Sequence, residues 1–168
     1  LGYSPSSSND YGISDMEFKE PSFNLPNEYA VLVQNASWKT KQWSIKNWQL
    51  LVKHLESLGI GMILPSGNEE EYQRALKISS FSEKAHVLRP LPLNQIAYIM
   101  KKAKFSVCSD TGLAHLSAVV GTPSLTLYGP TDTKLIGTEG KNQLHLVGSN
   151  NNINSISVDD VISKLPSM

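Results

Sequence analysis

Residues 109–115, with the sequence SDTGLAH, bring an acid, a hydroxyl, a glycine and a histidine together at a predicted strand-to-helix junction. Thr111 and Gly112 would present backbone N–H groups at the start of the helix, where an anion binds favourably. Gly112 would let that anion come close to the backbone, because glycine has no Cβ. His115 follows Thr111 by four residues and therefore shares its helical face. The segment predicts an anion-binding site.

Asp110 indicates which other groups such a ligand would carry. A carboxylate that faced a diphosphate directly would be repelled by it, so we expect Asp110 to face hydroxyl groups, as a sugar would present them. A second interpretation stays open at this point. Asp110 could cap the helix, since aspartate is common at that position, and His115 could be a core residue.

The loop after the first predicted strand, residues 35–43 (NASWKTKQW), contains two lysines and two hydroxyls. Ser37, Lys39 and Lys41 could clamp a diphosphate there by charge-assisted hydrogen bonds. A solvated basic loop is the alternative. Tryptophans are most often core residues, and Trp38 is the one of the three whose polar surroundings mark it as an exception.

Two further loops end predicted strands. In residues 67–71 (GNEEE), Asn68 and Glu71 have the spacing of a helix capping box. Alternatively, the Glu71 carboxylate could hold a ribose through its hydroxyls, as acidic residues do in many nucleotide sites. Residues 129–132 (GPTD) could form either a tight turn or a loop over phosphates.

Short apolar runs alternate with amphipathic segments along most of the chain. This alternation predicts an α/β fold: a doubly wound, mostly parallel Rossmann-like sheet with helices on both faces. Ligands of such sheets lie beyond the carboxyl ends of the strands. We predict strands over residues 29–34, 61–64, 86–88, 105–108, 124–128 and 144–147. We predict a helix after Ser44 with Leu58 on its apolar face, a helix from Asn68 to about Ser79, and a helix with Leu93 at the start of its apolar spacing. Two further helices cover 111–120 and 158–165.

Composition excludes several classes of function. The 168 residues include 15 basic and 15 acidic side chains, so no overall charge attracts nucleic acid or an anionic membrane. The single Cys108 excludes an internal disulfide, and no His, Cys or Asp cluster has metal-ligand spacing. Neither a Walker A loop nor a G-x-G-x-x-G motif is present. The apolar runs are too short for a transmembrane segment, and we expect no metal.

The first 28 residues differ from the rest, because serine and proline are frequent there. We interpret residues 1–28 as an interdomain linker or N-terminal extension. Residues 29–168 would then form one domain that ends in a C-terminal helix.

Four segments together resemble the C-terminal half of the lipopolysaccharide heptosyltransferases. They are residues 41–43 (KQW), 110–113 (DTGL, followed by His115), 128–132 (YGPTD) and 140–143 (GKNQ). Each segment is weak alone, but their order and spacing make the match specific. The resemblance extends over nearly the whole chain. It implies one half of a GT-B fold and an inverting glycosyltransferase that uses ADP-heptose.

The resemblance also implies roles for individual residues. Lys41 would contact the donor phosphates and stabilise the leaving group, and Ser37 in the same loop would belong to the site. Glu71 would bind the ribose and Leu91 would lie near adenine. The remaining donor-binding residues, which would hold the heptosyl and diphosphate groups, are Asp110, Thr111, Gly112 and His115.

The full family enzymes carry a preceding N-terminal domain, which binds the lipid A-linked acceptor and supplies the general base. The resemblance implies that this domain is absent here, so we expect the chain alone to bind ADP-heptose but to be inactive in transfer to 3-deoxy-manno-octulosonic acid. It also implies a cytoplasmic protein at the inner face of the bacterial inner membrane, with no cofactor besides its donor substrate. The alternatives are a transferase for another nucleotide-sugar and a non-catalytic nucleotide-binding module.

Overall fold

A computed structural model of the chain describes residues 18–129, 138, 140 and 142–165. Their strands form one six-stranded sheet in the order β3-β2-β1-β4-β5-β6, and every neighbouring pair is parallel. This order confirms the predicted doubly wound fold. The strands are β1 (Tyr29–Val33), β2 (Gly61–Leu64), β3 (Ala85–Val87), β4 (Phe105–Ser109), β5 (Ser124–Tyr128) and β6 (Gln143–Val147).

The helices begin where the sequence offers a side chain that can cap them. Ser44 accepts a hydrogen bond from the N–H of Asn47, and Asn68 accepts one from the N–H of Glu71. Ser157 forms a full capping box with Asp160 at the last helix. The helices are α1 (Ile45–Ser57), α2 (Glu69–Ser79), α3 (Leu93–Lys102), α4 (Gly112–Val119) and α5 (Val158–Lys164).

Strand β1 is buried on both faces, which explains why it is almost entirely apolar. Ala30 and Leu32 pack with residues of α1, α2 and α5 on one face of the sheet. Tyr29, Val31 and Val33 pack with residues of α3 and α4 on the other face. The alternation of side chains along the strand therefore serves two separate cores.

Two residues from the apolar positions of predicted helices are exposed. Leu58 is 46% exposed because α1 ends at Ser57, so Leu58 lies beyond the last helical turn. Leu93 is 63% exposed because it is the first residue of α3 and faces a cleft rather than the core. Strand β3 also lies one residue earlier than predicted, at Ala85–Val87.

The predicted linker is only partly visible in the described residues. Residues 1–17 lie outside them, as do 130–132 and Lys141 of the motifs named above. Within the described part, Leu25 packs against the core on the α3 side, and Glu28 forms an ion pair with Lys104. The proposed division at residue 28 stays a prediction.

Candidate functional site

The order of the strands reverses between β1 and β4, and two loops meet at this point. Lys41 lies in a short 3-10 turn after β1, and Asp110 follows β4 directly. Their Nζ and Oδ2 atoms are 2.6 Å apart. The Asp110 side chain is only 7% exposed and that of Lys41 is 25% exposed. The alternative of a solvated basic loop therefore does not describe Lys41, although residues 37–40 of the same loop are exposed.

This ion pair changes the electrostatics that the sequence suggested. Asp110 next to a bound phosphate would repel it, but the Lys41 ammonium offsets that charge. An ammonium has three donors, so Lys41 can hold Asp110 and still donate to a second group. The positive potential of the site thus depends on Lys41 and on the helix that starts next to it.

Helix α4 begins beside the ion pair with its first turn uncapped. Thr111 occupies the N-cap position with extended backbone, and no side chain of the described residues caps the helix. The possibility that Asp110 is the cap is therefore wrong. The first intrahelical bond runs from the Ala114 N–H to the Thr111 carbonyl, which leaves the N–H groups of Gly112 and Leu113 as donors for a ligand.

No described residue packs against the Cα of Gly112 on the side where a Cβ would lie. A Cβ built on this residue would meet no atom within 4 Å, so no packing within the described residues requires a glycine here. The Thr111 hydroxyl is buried and has no hydrogen-bond partner among the described residues. Both features are typical of a helix N-terminus that receives an anion.

A cleft of about 610 Å³ connects the α4 N-terminus with the loops after β1 and β2 and with α3. One of its walls is apolar, formed by Leu91, Leu93, Ile96, Leu113, Leu116 and Val119. The cleft is lined by six of the eight predicted donor-binding residues, namely Ser37, Glu71, Leu91, Thr111, Gly112 and His115. The other two, Lys41 and Asp110, are the ion pair next to Thr111.

Glu71 combines features of both interpretations offered by the sequence. Its Oε2 atom accepts a hydrogen bond of 2.7 Å from the N–H of Gly67, one residue before the Asn68 cap. Asn68 Oδ1 accepts the Glu71 N–H at 2.9 Å. Glu71 therefore supports the start of α2, although a strict capping box would use the N–H of Asn68. The same residue lines the cleft.

His115 and Trp38 lie at the surface, whereas Trp43 and Trp48 belong to the core. His115 is exposed and lines the cleft, so its interpretation as a core histidine is wrong. Trp43 and Trp48 are fully buried, with their rings edge to face at 5.3 Å. Trp38 is 71% exposed, which confirms it as the exception.

Comparison with known proteins supports a family assignment. The sequence model of glycosyltransferase family 9, the heptosyltransferases, matches residues 1–165. The chain belongs to this family. Lipopolysaccharide heptosyltransferase 1 of Escherichia coli K12 is 36% identical over 172 residues, which cover 100% of this chain and 53% of that protein. This family 9 chain therefore spans about half the length of that curated relative.

Solved structures of the family have the same fold. The structure of E. coli heptosyltransferase WaaC with ADP superposes with a TM-score of 0.87 at 35% identity, over 97% of this chain and 51% of that one. The structure of the same enzyme with ADP-2-deoxy-2-fluoro heptose gives 0.80 at 31% identity, over 97% and 50%. The sheet described above is therefore one half of a GT-B heptosyltransferase fold.

Sequence reasoning missed several buried polar groups of this family 9 chain. Gln34 is fully buried directly after β1, and neither of its side-chain polar atoms has a partner among the described residues. The Ser109 hydroxyl, at the end of β4, is likewise buried and unpartnered there. The signal in the sequence was the polar pair Gln34-Asn35 directly after an apolar strand. Polar residues that end a buried strand indicate a site edge.

Other reactive groups lie away from the cleft. Burial raises the pKa of the Cys108 thiol to about 12, so this thiol is not a nucleophile near neutral pH. In the part of the chain that the structure describes, no group of three or more His, Cys, Asp or Glu side chains could hold a metal ion.

None of the described helices is both long enough and apolar enough to cross a lipid bilayer.

Proposed function

We propose that this chain is the donor-binding part of an inverting heptosyltransferase and that its cleft binds ADP-heptose. The observation that carries the proposal is the uncapped N-terminus of α4, which opens into the cleft beside the Lys41 ammonium. The E. coli relatives whose structures contain ADP and an ADP-heptose analogue support the choice of nucleotide.

The diphosphate would lie on the first turn of α4. The N–H groups of Gly112 and Leu113 and the Thr111 hydroxyl would donate to its oxygens, and the helix dipole would favour its negative charge. Lys41 would add a charge-assisted hydrogen bond while it remains paired with Asp110.

The nucleoside and the sugar would occupy the two sides of the diphosphate. Adenine would pack on the apolar wall that contains Leu91. Glu71 would accept hydrogen bonds from the ribose hydroxyls, with Ser37 on the same side of the cleft. Asp110 and His115 would face the hydroxyl groups of the heptose.

Direct displacement explains why the charge of the site matters for catalysis. An acceptor hydroxyl attacks the anomeric carbon, a base takes its proton, and ADP leaves with inversion. The negative charge that grows on the leaving diphosphate would be stabilised by Lys41 and by the α4 N-terminus. The proposal involves no cofactor beyond the donor substrate.

The acceptor and the general base would come from the half of the relatives that this chain does not match. Residues 1–28 would connect the two halves, and residues 29–168 would form the donor domain. The acceptor would be the 3-deoxy-manno-octulosonic acid attached to lipid A, and the enzyme would act in the cytoplasm at the inner face of the inner membrane.

Calorimetric titration of the chain tests the nucleotide assignment. We expect ADP and ADP-heptose to bind, with UDP and GDP at least about tenfold weaker, a difference of ~1.4 kcal/mol. Gly112→Ala should weaken ADP binding by a similar factor, because the methyl group enters the space over the helix. The same change should not lower stability, since alanine favours helix. Equal affinity for all three nucleotides would contradict the proposal.

Transfer itself is tested with lipid acceptor and ADP-heptose, followed by mass spectrometry. We expect no heptosylated product from this chain alone, because alignment of acceptor and base contributes ~7–11 kcal/mol to such reactions. Product at the rate of a two-domain family member would mean that the base lies in this chain.

A further inference from the structure

Arg74 is a positively charged residue beside the donor cleft. None of the donor contacts proposed above involves it. It lies on α2 three residues after Glu71, and its guanidinium is partly buried. Its Nη2 atom donates a hydrogen bond of 2.6 Å to the main-chain carbonyl of Trp43. Its Nε atom is buried and has no partner among the described residues. Burial also lowers the pKa of Arg74.

The contact between Arg74 and the Trp43 carbonyl is not an efficient way to stabilise the fold. Withdrawing a cation even partly from water is costly unless it is paired and hydrogen-bonded, and among the described residues the acceptor for Arg74 is a neutral carbonyl. Sites that break such a rule are often the ones in which a side chain serves function. The role of this contact therefore lies in the segment of the chain that it holds in place.

The Trp43 carbonyl lies two residues after Lys41, at the end of the loop that carries it. Within that loop the Lys41 N–H bonds to the Trp38 carbonyl, and the Gln42 side chain bonds to the Ala36 carbonyl. These bonds fix the shape of the loop but not its position relative to α2. Arg74 supplies a bond that does fix it.

Other contacts hold the same loop from the opposite side. The indole N–H of Trp43 donates to the Ile156 carbonyl at 2.9 Å. A Cβ on Gly129 would lie 3.1 Å from the Thr40 carbonyl, so the end of β5 approaches the Lys39–Lys41 turn closely. The loop is thus held between α2 and the segments that follow β5.

We propose that Arg74 is a positioning residue that fixes the distance between Lys41 and Glu71, and so between the diphosphate and ribose positions of the donor. Arg74 acts through the Trp43 carbonyl and does not itself touch the nucleotide. The inference rests on the proposed function, because it assumes that Lys41 contacts the diphosphate. Misplacement of a binding group by as little as 1 Å can weaken its contribution strongly.

The experiment compares Arg74→Met and Arg74→Lys with the control Lys77→Met. Lys77 lies one turn later on α2 and lines the same smaller pocket of about 360 Å³ as Arg74. Arg74→Met should weaken ADP binding about tenfold, with a smaller effect on AMP, which lacks the β-phosphate that Lys41 would contact. Arg74→Lys should recover part of the affinity because it keeps a donor and the charge. Lys77→Met should bind ADP like the unaltered chain.

A double-mutant cycle shows whether Arg74 acts through Lys41. In the Lys41→Ala background, Arg74→Met should change ADP affinity by less than about twofold, because the group that it positions is gone. Amide hydrogen exchange gives a second readout without ligand. The amides of Lys41 and Gln42 should exchange faster in Arg74→Met, even if the rest of the sheet is unchanged.

The outcomes distinguish a failure of the proposed function from a failure of the inference about Arg74. If the unaltered chain does not bind ADP, the proposed function fails and this inference fails with it. If it binds ADP and Lys41→Ala weakens binding, the inference alone is overturned by any of three results: full ADP affinity in Arg74→Met, unchanged exchange at Lys41 and Gln42, or additive effects in the cycle.

Discussion

Two helices begin beside the same cleft, and their first turns are built in opposite ways. The first turn of α2 contains three glutamates, Asn68 caps it, and Glu71 returns to the N–H of Gly67. The first turn of α4 has no acidic residue, and in the part of the chain that the structure describes no side chain caps it and no atom fills the space beside Gly112.

The difference shows how a fold directs an anion to one place. Every helix N-terminus carries unpaired N–H groups and a partial positive charge. In α2 the Asn68 side chain accepts the N–H of Glu71, and an added phosphate would meet the three carboxylates of the first turn. In α4 no side chain of the described residues takes these groups, and Lys41 offsets the negative charge of the nearby Asp110. The sequence of the first turn decides which helix can bind a diphosphate.

The largest loss of ADP affinity should follow from an acidic residue in the first turn of α4, as α2 has in its own first turn. We expect Gly112→Asp to weaken ADP binding at least about 100-fold, a loss of ~2.8 kcal/mol, because the carboxylate repels the diphosphate and takes up its donors. The free energy of unfolding should stay the same or rise by ~0.3–1 kcal/mol. Titration and urea unfolding measure the two quantities. Gly112→Asn is the neutral control and should lose less affinity.

Removal of the Lys41 ammonium should have the second-largest effect on ADP binding. Lys41→Ala should cost ~1.5–3 kcal/mol of ADP binding, because a charge-assisted hydrogen bond is lost. It should also lower stability, since the buried Asp110 carboxylate loses its ammonium partner. Lys39→Ala, an exposed lysine in the same turn, is the matched control for both measurements. If the two variants bind ADP alike, Lys41 does not contact the donor.

Removal of the cap of α2 should lower the stability of the protein and leave its ADP affinity almost unchanged. Asn68→Ala should lower the free energy of unfolding by ~0.5–2 kcal/mol, because the N–H of Glu71 loses its acceptor. ADP affinity should change by less than about threefold, under ~0.7 kcal/mol. A chemical denaturation series with a parallel ADP titration checks this. A large loss of affinity without loss of stability would mean that α2 also binds phosphate.

The smallest change separates the two roles of Glu71. Glu71→Gln should leave stability nearly unchanged, because glutamine can also accept the N–H of Gly67. If Glu71 holds the ribose, the unaltered chain should prefer ADP over 2′-deoxy-ADP, and Glu71→Gln should lose that preference. Competition titrations with the two nucleotides measure it. An unchanged preference in the variant would leave Glu71 as a helix cap only.

Features that depend on neighbours along the chain were predictable from the sequence. The caps at Ser44 and Asn68 were correct because a cap is formed within four residues. The doubly wound sheet followed from the alternation of apolar strands and helices. The placement of Leu58 on the apolar face of α1 was wrong because that helix ends at Ser57, and spacing alone does not show where a helix stops. Leu93 does belong to its predicted helix, but as the first residue it is exposed.

Contacts between distant segments were not predictable in the same way. Lys41 and Asp110 are 69 residues apart and meet only because β1 and β4 are neighbours in the sheet. The sequence predicted that both residues lie at one edge of the sheet, but it indicated that they face different parts of a ligand. The bond from Arg74 to the Trp43 carbonyl was invisible, because a main-chain acceptor leaves no trace in the sequence.

The most direct measurement follows the amide protons of Gly112 and Leu113 by NMR during titration with ADP. The amides of Glu69 and Glu70, in the first turn of α2, serve as the internal comparison. We predict that the Gly112 and Leu113 signals move downfield and saturate with the calorimetric Kd, that inorganic diphosphate moves them in the same direction, and that the α2 signals stay in place. If ADP binds while Gly112 and Leu113 do not respond, or if the α2 amides respond instead, the uncapped helix is not the diphosphate site.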